Sequence, residues 1–241
     1  MSLSLRRSPP EAESQDVAEQ PFWISFSDLM TALMALFLVA MSVALLSITQ
    51  EIAQSEDERA ERLDEIDSFL NQLQKVTEEI PGVVVRGRVI DFGDRARFAT
   101  NSHQLSSEQA VLLREVAPRV LELARNPLGQ KWLKRIVVEG FADSRGSYLY
   151  NLNLSLQRSE RLLCVLLAVP PAPAALSPND RLLARDLFLV SGSSYNALRA
   201  SQDESRRIEL RLEFFEIGEA RRSDHPGETI PLEEEKRCPL D

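Results

Sequence analysis

Three ionisable side chains stand where their types and positions could do chemistry. Asp28 lies near the start of the only long apolar run, residues 21–48, and no charged residue follows it from Leu29 to Ile48. Farther along, Asp143 follows an apolar stretch and Arg158 falls in a predicted helix. A carboxylate inside an apolar run costs about 2.5–3.5 kcal/mol at the centre of a membrane helix, and it marks a functional site by default. A carboxylate and a guanidinium brought together can recognise a zwitterion through charge-assisted hydrogen bonds.

The apolar run is long enough to cross a membrane as one helix. At about 1.5 Å per residue, about 20 residues span a hydrocarbon core of roughly 30 Å. Residues 21–48 are therefore predicted to form one transmembrane helix, with Trp23 as its interfacial anchor. Asp28 as a helix cap and the run as a cleaved signal peptide are two other interpretations. Four apolar residues, Phe22, Trp23, Ile24 and Phe26, precede Asp28, and the run exceeds a signal-peptide core. An ion-binding Asp28 is therefore favoured.

One stripe of the predicted helix combines small side chains with the carboxylate. Small side chains let neighbouring helices approach closely. A single helix cannot solvate a carboxylate in lipid, so this stripe implies partner helices. Its members are Ser25, Asp28, Ala32, Ala35 and Ser42.

Composition narrows the possible functions of the rest of the chain. With 241 residues and a net charge of −9, the chain is unlike a nucleic-acid-binding protein. The histidines and cysteines have no metal-ligand spacing, so no metal, cofactor or catalytic role is predicted. Cys164 lies in an apolar stretch and is interpreted as a core thiol. A disulfide to Cys238 stays open if the C-terminal tail faces an oxidising compartment.

The chain divides into five segments by composition. Residues 1–20 and the acidic residues 218–241 are predicted to be disordered tails. Between them lie the transmembrane helix, a helical linker over residues 49–80, and a domain over residues 81–217 that opens with a Pro-Gly break.

The linker carries a short heptad-like seam. Two interpretations remain open: an amphipathic helix packed on its own domain, or a short parallel coiled coil between two copies. The seam consists of Leu63, Ile66, Leu70, Leu73, Thr77 and Ile80.

The domain is predicted to be an α/β sandwich with a mixed sheet. The order β–α–β–α–β with a final strand follows from apolar runs, alternation and caps. Strands are predicted at 83–93, 135–140, 187–191 and 207–217. Helices are predicted from Ser106, over 154–169 with a cap near Asn153 or Ser155, and briefly near 182–184, after a Pro-rich loop.

Residues 83–217 resemble the OmpA-like peptidoglycan-binding domain. The resemblance rests on a G-x-x-D-x-x-G signature, continued by N-x-x-L-S-x-x-R, and on a closing R-R-I-E segment. It departs at Phe141 and Ala142, where the family has His and Thr, at Ser159 for Ala and at Ser205 for Asn. The matching residues are Gly140, Asp143, Gly146, Asn151, Leu154, Ser155, Arg158, Gly192, Ser193, Arg206, Arg207, Ile208 and Glu209.

This resemblance implies a binding site for the peptide stem of peptidoglycan. Diaminopimelate in that stem carries an ammonium and a carboxylate on one carbon. By resemblance, Asp143, Arg158 and Asn151 form the site, with the carboxylate and the guanidinium fork reading the zwitterion. The alternative, that Asp143 and Arg158 only pair with each other, stays open.

Residues 24–41 resemble the membrane helix of the flagellar stator B subunit family, which is MotB-like. Ser27 and Leu29 flank Asp28, which falls on the ion-binding Asp of that family. The tract from Ser25 to Val39 is closer still to the B subunit of the Zorya anti-phage defence system.

The stator resemblance implies a function and a set of partners. The chain would be a non-enzymatic subunit of an inner-membrane motor, a homodimer within a multi-span, MotA-like pentamer. Transported H⁺ or Na⁺ would pass Asp28. The N-terminus would be cytoplasmic, and the C-terminal domain would be periplasmic and attached to peptidoglycan. Alternatives are a flagellar stator B subunit, an energy transducer, and a plain cell-wall anchor, for which Asp28 would be unneeded.

Overall fold

The computed structural model describes residues 16–167 and 176–219 together with Cys238, with side chains from residue 26 onward. The predicted disordered tails and the Pro-rich loop lie largely outside these residues. Residues 16–20, predicted as part of the N-terminal tail, are instead the first residues of helix α1, which spans Asp16–Glu78. Val17 to Gln20 contain no glycine or proline that would oppose a helix. The chain forms two compact units, one ending at Glu58 and one beginning at Arg59.

The first unit contains an apolar stretch of α1. Its length and composition suffice for one membrane span, the one such stretch within the described residues. The large apolar side chains from Phe26 to Ile48 are exposed in the isolated chain. Thr31 Oγ1 and Ser42 Oγ donate to the carbonyls of Ser27 and Leu38 at 2.8 Å, so their hydroxyls are satisfied by the helix itself.

The second unit is built on a five-stranded mixed sheet, which confirms the predicted fold class. The strand order is β1-β2-β5-β3-β4. Strand β3 runs parallel to β4, and the other neighbours are antiparallel. The strands are β1 (Val84–Arg86), β2 (Val89–Asp91), β3 (Leu133–Gly140), β4 (Phe188–Gly192) and β5 (Ile208–Phe214).

One predicted strand is a hairpin in the structure. The run over residues 83–93 was expected to be a single strand, but it turns back between β1 and β2. Gly87 at the turn has φ 58°, a conformation that glycine adopts without steric cost. The turn lets Ile90 reach the core while Val84 stays exposed at the edge of the sheet.

The described part of the chain contains five further helices and a 3₁₀ turn beside the sheet. Helix α2 begins as predicted, with a reciprocal capping box between Ser106 and Gln109. Helix α4 begins at Tyr148, six residues before the predicted start. The 3₁₀ turn, α3 and α6 were not predicted. The helices are α2 (Ser107–Arg125), α3 (Pro127–Trp132), α4 (Tyr148–Leu167), α5 (Pro178–Leu187) and α6 (Gln202–Ser205), with the 3₁₀ turn at Gly93–Ala96.

The C-terminal part of α1 belongs to the α/β domain. Ile66, Phe69 and Leu73 are at most 1% exposed and lie within the core of the domain. The ring of Phe69 meets that of Phe214 edge to face, with centroids 5.8 Å apart. The seam therefore packs on its own domain, as in the first of the two interpretations, and the compact unit starts at Arg59 instead of residue 81.

A disulfide joins helix α4 to the C-terminal tail. Cys164 and Cys238 are bonded, and their Cα atoms lie 5.4 Å apart. The interpretation of Cys164 as a core thiol is therefore wrong. Its half-buried position on α4 leaves the sulfur within reach of the tail.

The packing of α1 predicts that its buried seam contributes to the stability of the α/β domain. Leu73→Ala should lower the free energy of unfolding by about 2–5 kcal/mol, because it leaves a cavity in a filled core. Ser68→Ala, at an exposed position one turn away, should change it by about 0.5 kcal/mol or less. Thermal unfolding of the purified protein in detergent measures both. Equal melting curves for the two variants would contradict the packing.

Candidate functional site

Two glycines at neighbouring strand ends bring α4 close to the sheet. Gly140 on β3 is paired with Gly192 on β4. A Cβ on Gly140 would lie 2.1 Å from the Ser155 carbonyl oxygen, and one on Gly192 would lie 2.6 Å from Ser155 Oγ. No other residue fits there. The first turns of α4 therefore lie directly against the strand ends, beside the loop that follows β3.

The loop after β3 carries Asp143, which is 5% exposed. Its Oδ1 accepts from the backbone N–H of Arg145 at 3.1 Å. Its Oδ2 accepts from Arg145 Nη2 at 2.5 Å and from Arg206 Nη1 at 3.1 Å. Burial alone would raise the pKa of Asp143, but the hydrogen bonds from Arg145 and Arg206 outweigh it and lower the pKa to about 2.

Arg158 is 0% exposed and joins three segments of backbone. Its Nε donates to the Ser102 carbonyl at 2.9 Å, Nη1 to the Phe141 carbonyl at 2.6 Å and Nη2 to the Ala99 carbonyl at 3.3 Å. The guanidinium carbon lies 4.9 Å from the centre of the Phe98 ring. Burial lowers the pKa of Arg158 to about 10, although the nearby Asp143 carboxylate opposes that shift.

The structure places the three predicted site residues, Asp143, Asn151 and Arg158, around one loop. Asp143 and Arg158 do not form an ion pair with each other. Among the described residues, Asp143 is paired with Arg145 and Arg206 and not with Arg158. The alternative in which Asp143 and Arg158 pair with each other is therefore not what the structure shows. Asn151 is 2% exposed, and its Nδ2 donates to the Arg145 carbonyl at 2.8 Å, so it holds the loop.

Sequence reasoning did not predict the role of Arg145. Its side chain is 53% exposed, and it covers the Asp143 carboxylate while Nη2 also donates to Thr100 Oγ1 at 3.0 Å. The available signal was a basic residue two positions after a loop carboxylate. Arg206 was recognised as a signature residue, but its bond to Asp143 depends on tertiary structure.

Three of the four departures from the OmpA-like signature make contacts through their side chains. The Phe141 ring, in place of His, has the Arg207 guanidinium 4.0 Å from its centre. Ser159, in place of Ala, donates to the Ser191 carbonyl at 2.5 Å. Ser205, in place of Asn, donates to the Ser201 carbonyl at 2.8 Å. At these three buried positions the substituted side chain therefore has a partner within the domain.

Asp28, the candidate ion-binding residue, lies in the first compact unit, which ends at Glu58. It is exposed in the isolated chain, as are its neighbours in the apolar run. The side chains of Trp23 and Ser25, predicted as an anchor and as part of the stripe, lie outside the described ones. Within the described residues, no group of three or more His, Cys, Asp or Glu is placed to hold a metal.

Known proteins are similar to both the apolar helix and the α/β domain of this chain. Residues 6–55 match the family described as membrane MotB of the proton-channel complex MotA/MotB. The Zorya protein ZorB of Escherichia coli O139:H28 is 41% identical over 229 residues, which is 93% of each chain.

Solved structures also resemble part of the chain. The periplasmic domain of Helicobacter pylori MotB is 14% identical over 54% of this chain and 80% of that one, with a TM-score of 0.37. The peptidoglycan-associated lipoprotein of Burkholderia pseudomallei is 15% identical over 50% and 88%, with a TM-score of 0.33.

The apolar helix with its single carboxylate and the α/β domain with its signature residues define a stator-like B subunit of the MotB type. Within that class, the chain belongs to the family of the Zorya protein ZorB. Both resemblances stated from the sequence are thereby confirmed.

The lowered pKa of Asp143 predicts an acid-dependent loss of stability. A carboxyl with a folded-state pKa below its unfolded value stabilises the fold above about pH 4, and that contribution is lost as the pH falls toward about 2. Asp143→Asn should therefore be less stable than wild type at pH 7 and should lose less stability between pH 4 and 2. Denaturant unfolding at several pH values measures this. Asp64→Asn, at an exposed position, is the control, and a parallel decline in wild type and Asp143→Asn would contradict the role of the ion pairs.

Proposed function

We propose that this protein is the peptidoglycan-anchored subunit of an ion-driven rotary motor in the inner membrane, acting in anti-phage defence. Two copies would sit within a MotA-like pentamer. The observation that carries the proposal is the 41% identity to a Zorya protein along 93% of the chain, with Asp28 in the apolar helix.

Asp28 would be the residue that transported H⁺ or Na⁺ neutralises and releases. The described side chains of this unit, from residue 26 onward, form no ion pair with Asp28, so in a membrane it would need facing helices and the ion itself. A membrane potential supplies about 2.3 kcal/mol per charge per 100 mV, enough to bias a stepwise cycle of neutralisation and release. Each step would turn the pentamer around the anchored pair of helices.

The loop of Asp143 would hold the motor to the cell wall. A ligand ammonium would reach Asp143 by displacing the Arg145 side chain, which is half exposed and tied mainly to that carboxylate. A ligand carboxylate would meet a site in which Arg145, Arg158 and Arg206 outnumber Asp143. Arg158 is fully buried and donates to three carbonyls, so it would hold the loop in place and contribute its positive charge to the site.

The disulfide supports a periplasmic location for the α/β domain. Disulfides form and persist in oxidising compartments, and the cytosol keeps thiols reduced. The Cys164–Cys238 bond thus favours a cytoplasmic N-terminus, with α1 crossing the inner membrane once. The second candidate function, a flagellar stator B subunit, is favoured by the match of residues 6–55 to the MotB family.

For the ion-binding role, we expect Asp28→Asn to abolish function while membrane insertion and complex formation persist, because amide and carboxyl have similar size but the amide carries no titratable charge. Ser42→Ala, which removes another polar group of the same helix, should retain function. Phage protection and ion flux in cells measure the effect. Full protection by Asp28→Asn would exclude this residue as the ion site, and rescued swimming in a flagellar mutant would favour the second function.

For the anchoring role, Asp143→Asn should weaken retention on isolated cell-wall sacculi by at least about tenfold, since a charge-assisted hydrogen bond to the ligand is lost. Arg158→Ala should abolish retention, and Arg158→Lys should recover it poorly because the planar fork is missing. Arg145→Gln should keep or raise retention, because it uncovers the carboxylate.

Thermal unfolding must accompany these pull-downs, since Arg158 also holds three backbone segments. Equal retention of wild type, Asp143→Asn and Arg158→Lys, with all three folded, would show that the charged groups are structural.

A further inference from the structure

All three tyrosines of the chain border the loop that carries Asp143. They are Tyr148 and Tyr150, in the first turn of α4, and Tyr195, after β4. None of the three belongs to the hydrophobic core of the domain. Tyr148 and Tyr150 are 40% and 49% exposed. Exposed aromatic rings gathered at one place are typical of a binding surface.

Two of these rings are held in position, although Tyr148 is exposed and Tyr195 is partly exposed. Tyr148 and Tyr195 meet edge to face, with centroids 5.5 Å apart and planes at 84°. The Tyr148 hydroxyl accepts a hydrogen bond from Asn196 Nδ2 at 3.1 Å, and its carbonyl accepts one from Ser194 Oγ at 3.0 Å. This tyrosine pair is therefore ordered before any ligand arrives, which lowers the entropic cost of binding.

The tyrosine pair is continuous with the proposed stem-peptide site. Ser194, the residue before Tyr195, accepts the backbone hydrogen bond of Ala142, the residue before Asp143, at 2.8 Å. On the same helical turn, Tyr150 lies beside Gly146, where a Cβ would be 3.3 Å from the ring. The parts of a ligand next to the group bound at Asp143 would thus lie near the tyrosine rings.

We propose that Tyr148 and Tyr195 form a subsite for the amino-sugar glycan strand of peptidoglycan. This inference rests on the proposed function, because the stem peptide is attached to that strand. A pyranose ring has one face of C–H groups and a rim of hydroxyls. A tyrosine has an apolar face and a polar tip, so it can cover the first and bond to the second. A third residue of a stem peptide lies about 10 Å from the sugar at about 3.5 Å per residue, so one domain can contact both.

The test uses the purified full chain in detergent and two separate probes. One is glycan strands freed of peptides by an amidase, and the other is a diaminopimelate-containing stem peptide. Tyr148→Ala combined with Tyr195→Ala should weaken glycan retention about five- to one-hundredfold and leave peptide affinity unchanged. The corresponding double Phe variant should stay within about threefold of wild type, because it keeps the ring faces. Val84→Ala, an exposed position at the opposite edge of the sheet, is the control.

The outcomes separate this inference from the proposed function. Peptide binding without glycan binding in wild type, or glycan retention unchanged in the double Ala variant, would overturn the glycan subsite alone. Glycan binding without peptide binding would overturn the peptide site at Asp143 and retain the subsite. Binding of neither probe would overturn both.

A measurement without variants covers the case in which the double Ala variant fails to fold. Saturating glycan strands should protect Tyr148 and Tyr195 of the wild type against nitration by tetranitromethane, as read by mass spectrometry. Unchanged nitration of both would overturn the subsite.

Discussion

The α/β domain depends on one buried guanidinium. Arg158 donates to the carbonyls of Ala99, Ser102 and Phe141, and so it joins the 99–102 loop, the end of β3 and helix α4. A buried charge is costly unless its hydrogen bonds are satisfied, and removing it would leave three carbonyls unpaired. The geometry of the Asp143 loop follows, because Phe141 lies two residues before that carboxylate. The fold and the geometry of the candidate site therefore depend on the same residue.

The sequence patterns that predicted the fold were those with local causes. The alternation of apolar and polar residues predicted β5, the apolar run predicted β3, and Ser106 as a cap predicted the start of α2. The start of α4 was misplaced because Asn153 and Ser155 look like caps. In the structure Asn153 is an exposed residue inside α4, and Ser155 Oγ instead accepts from the Ser194 N–H, a contact that only the folded chain creates.

The sequence predicted which residues lie at the candidate site, but it did not predict which of them form ion pairs. The signature identified Asp143, Asn151 and Arg158, and the structure places all three around one loop. Which guanidinium faces Asp143 depends on the position of Arg206 at the start of β5 and on the turn at Gly146, with φ 98°. The packing of the linker was ambiguous for a similar reason. An apolar seam predicts that the helix face is buried, but it does not indicate whether its own domain or a second copy buries it.

The bond between Cys164 and Cys238 gives the chain two covalent forms, a reduced one and an oxidised one. Before oxidation, Cys164 and Cys238 are connected only through the residues between them. Afterwards the bond closes that stretch into a loop with a sequence separation of 74 residues. Closing a loop of that size removes about 4 kcal/mol of chain entropy from the unfolded state in the usual estimate. The domain therefore gains its full resistance to unfolding only once this bond has formed, so its stability depends on the redox state of its surroundings.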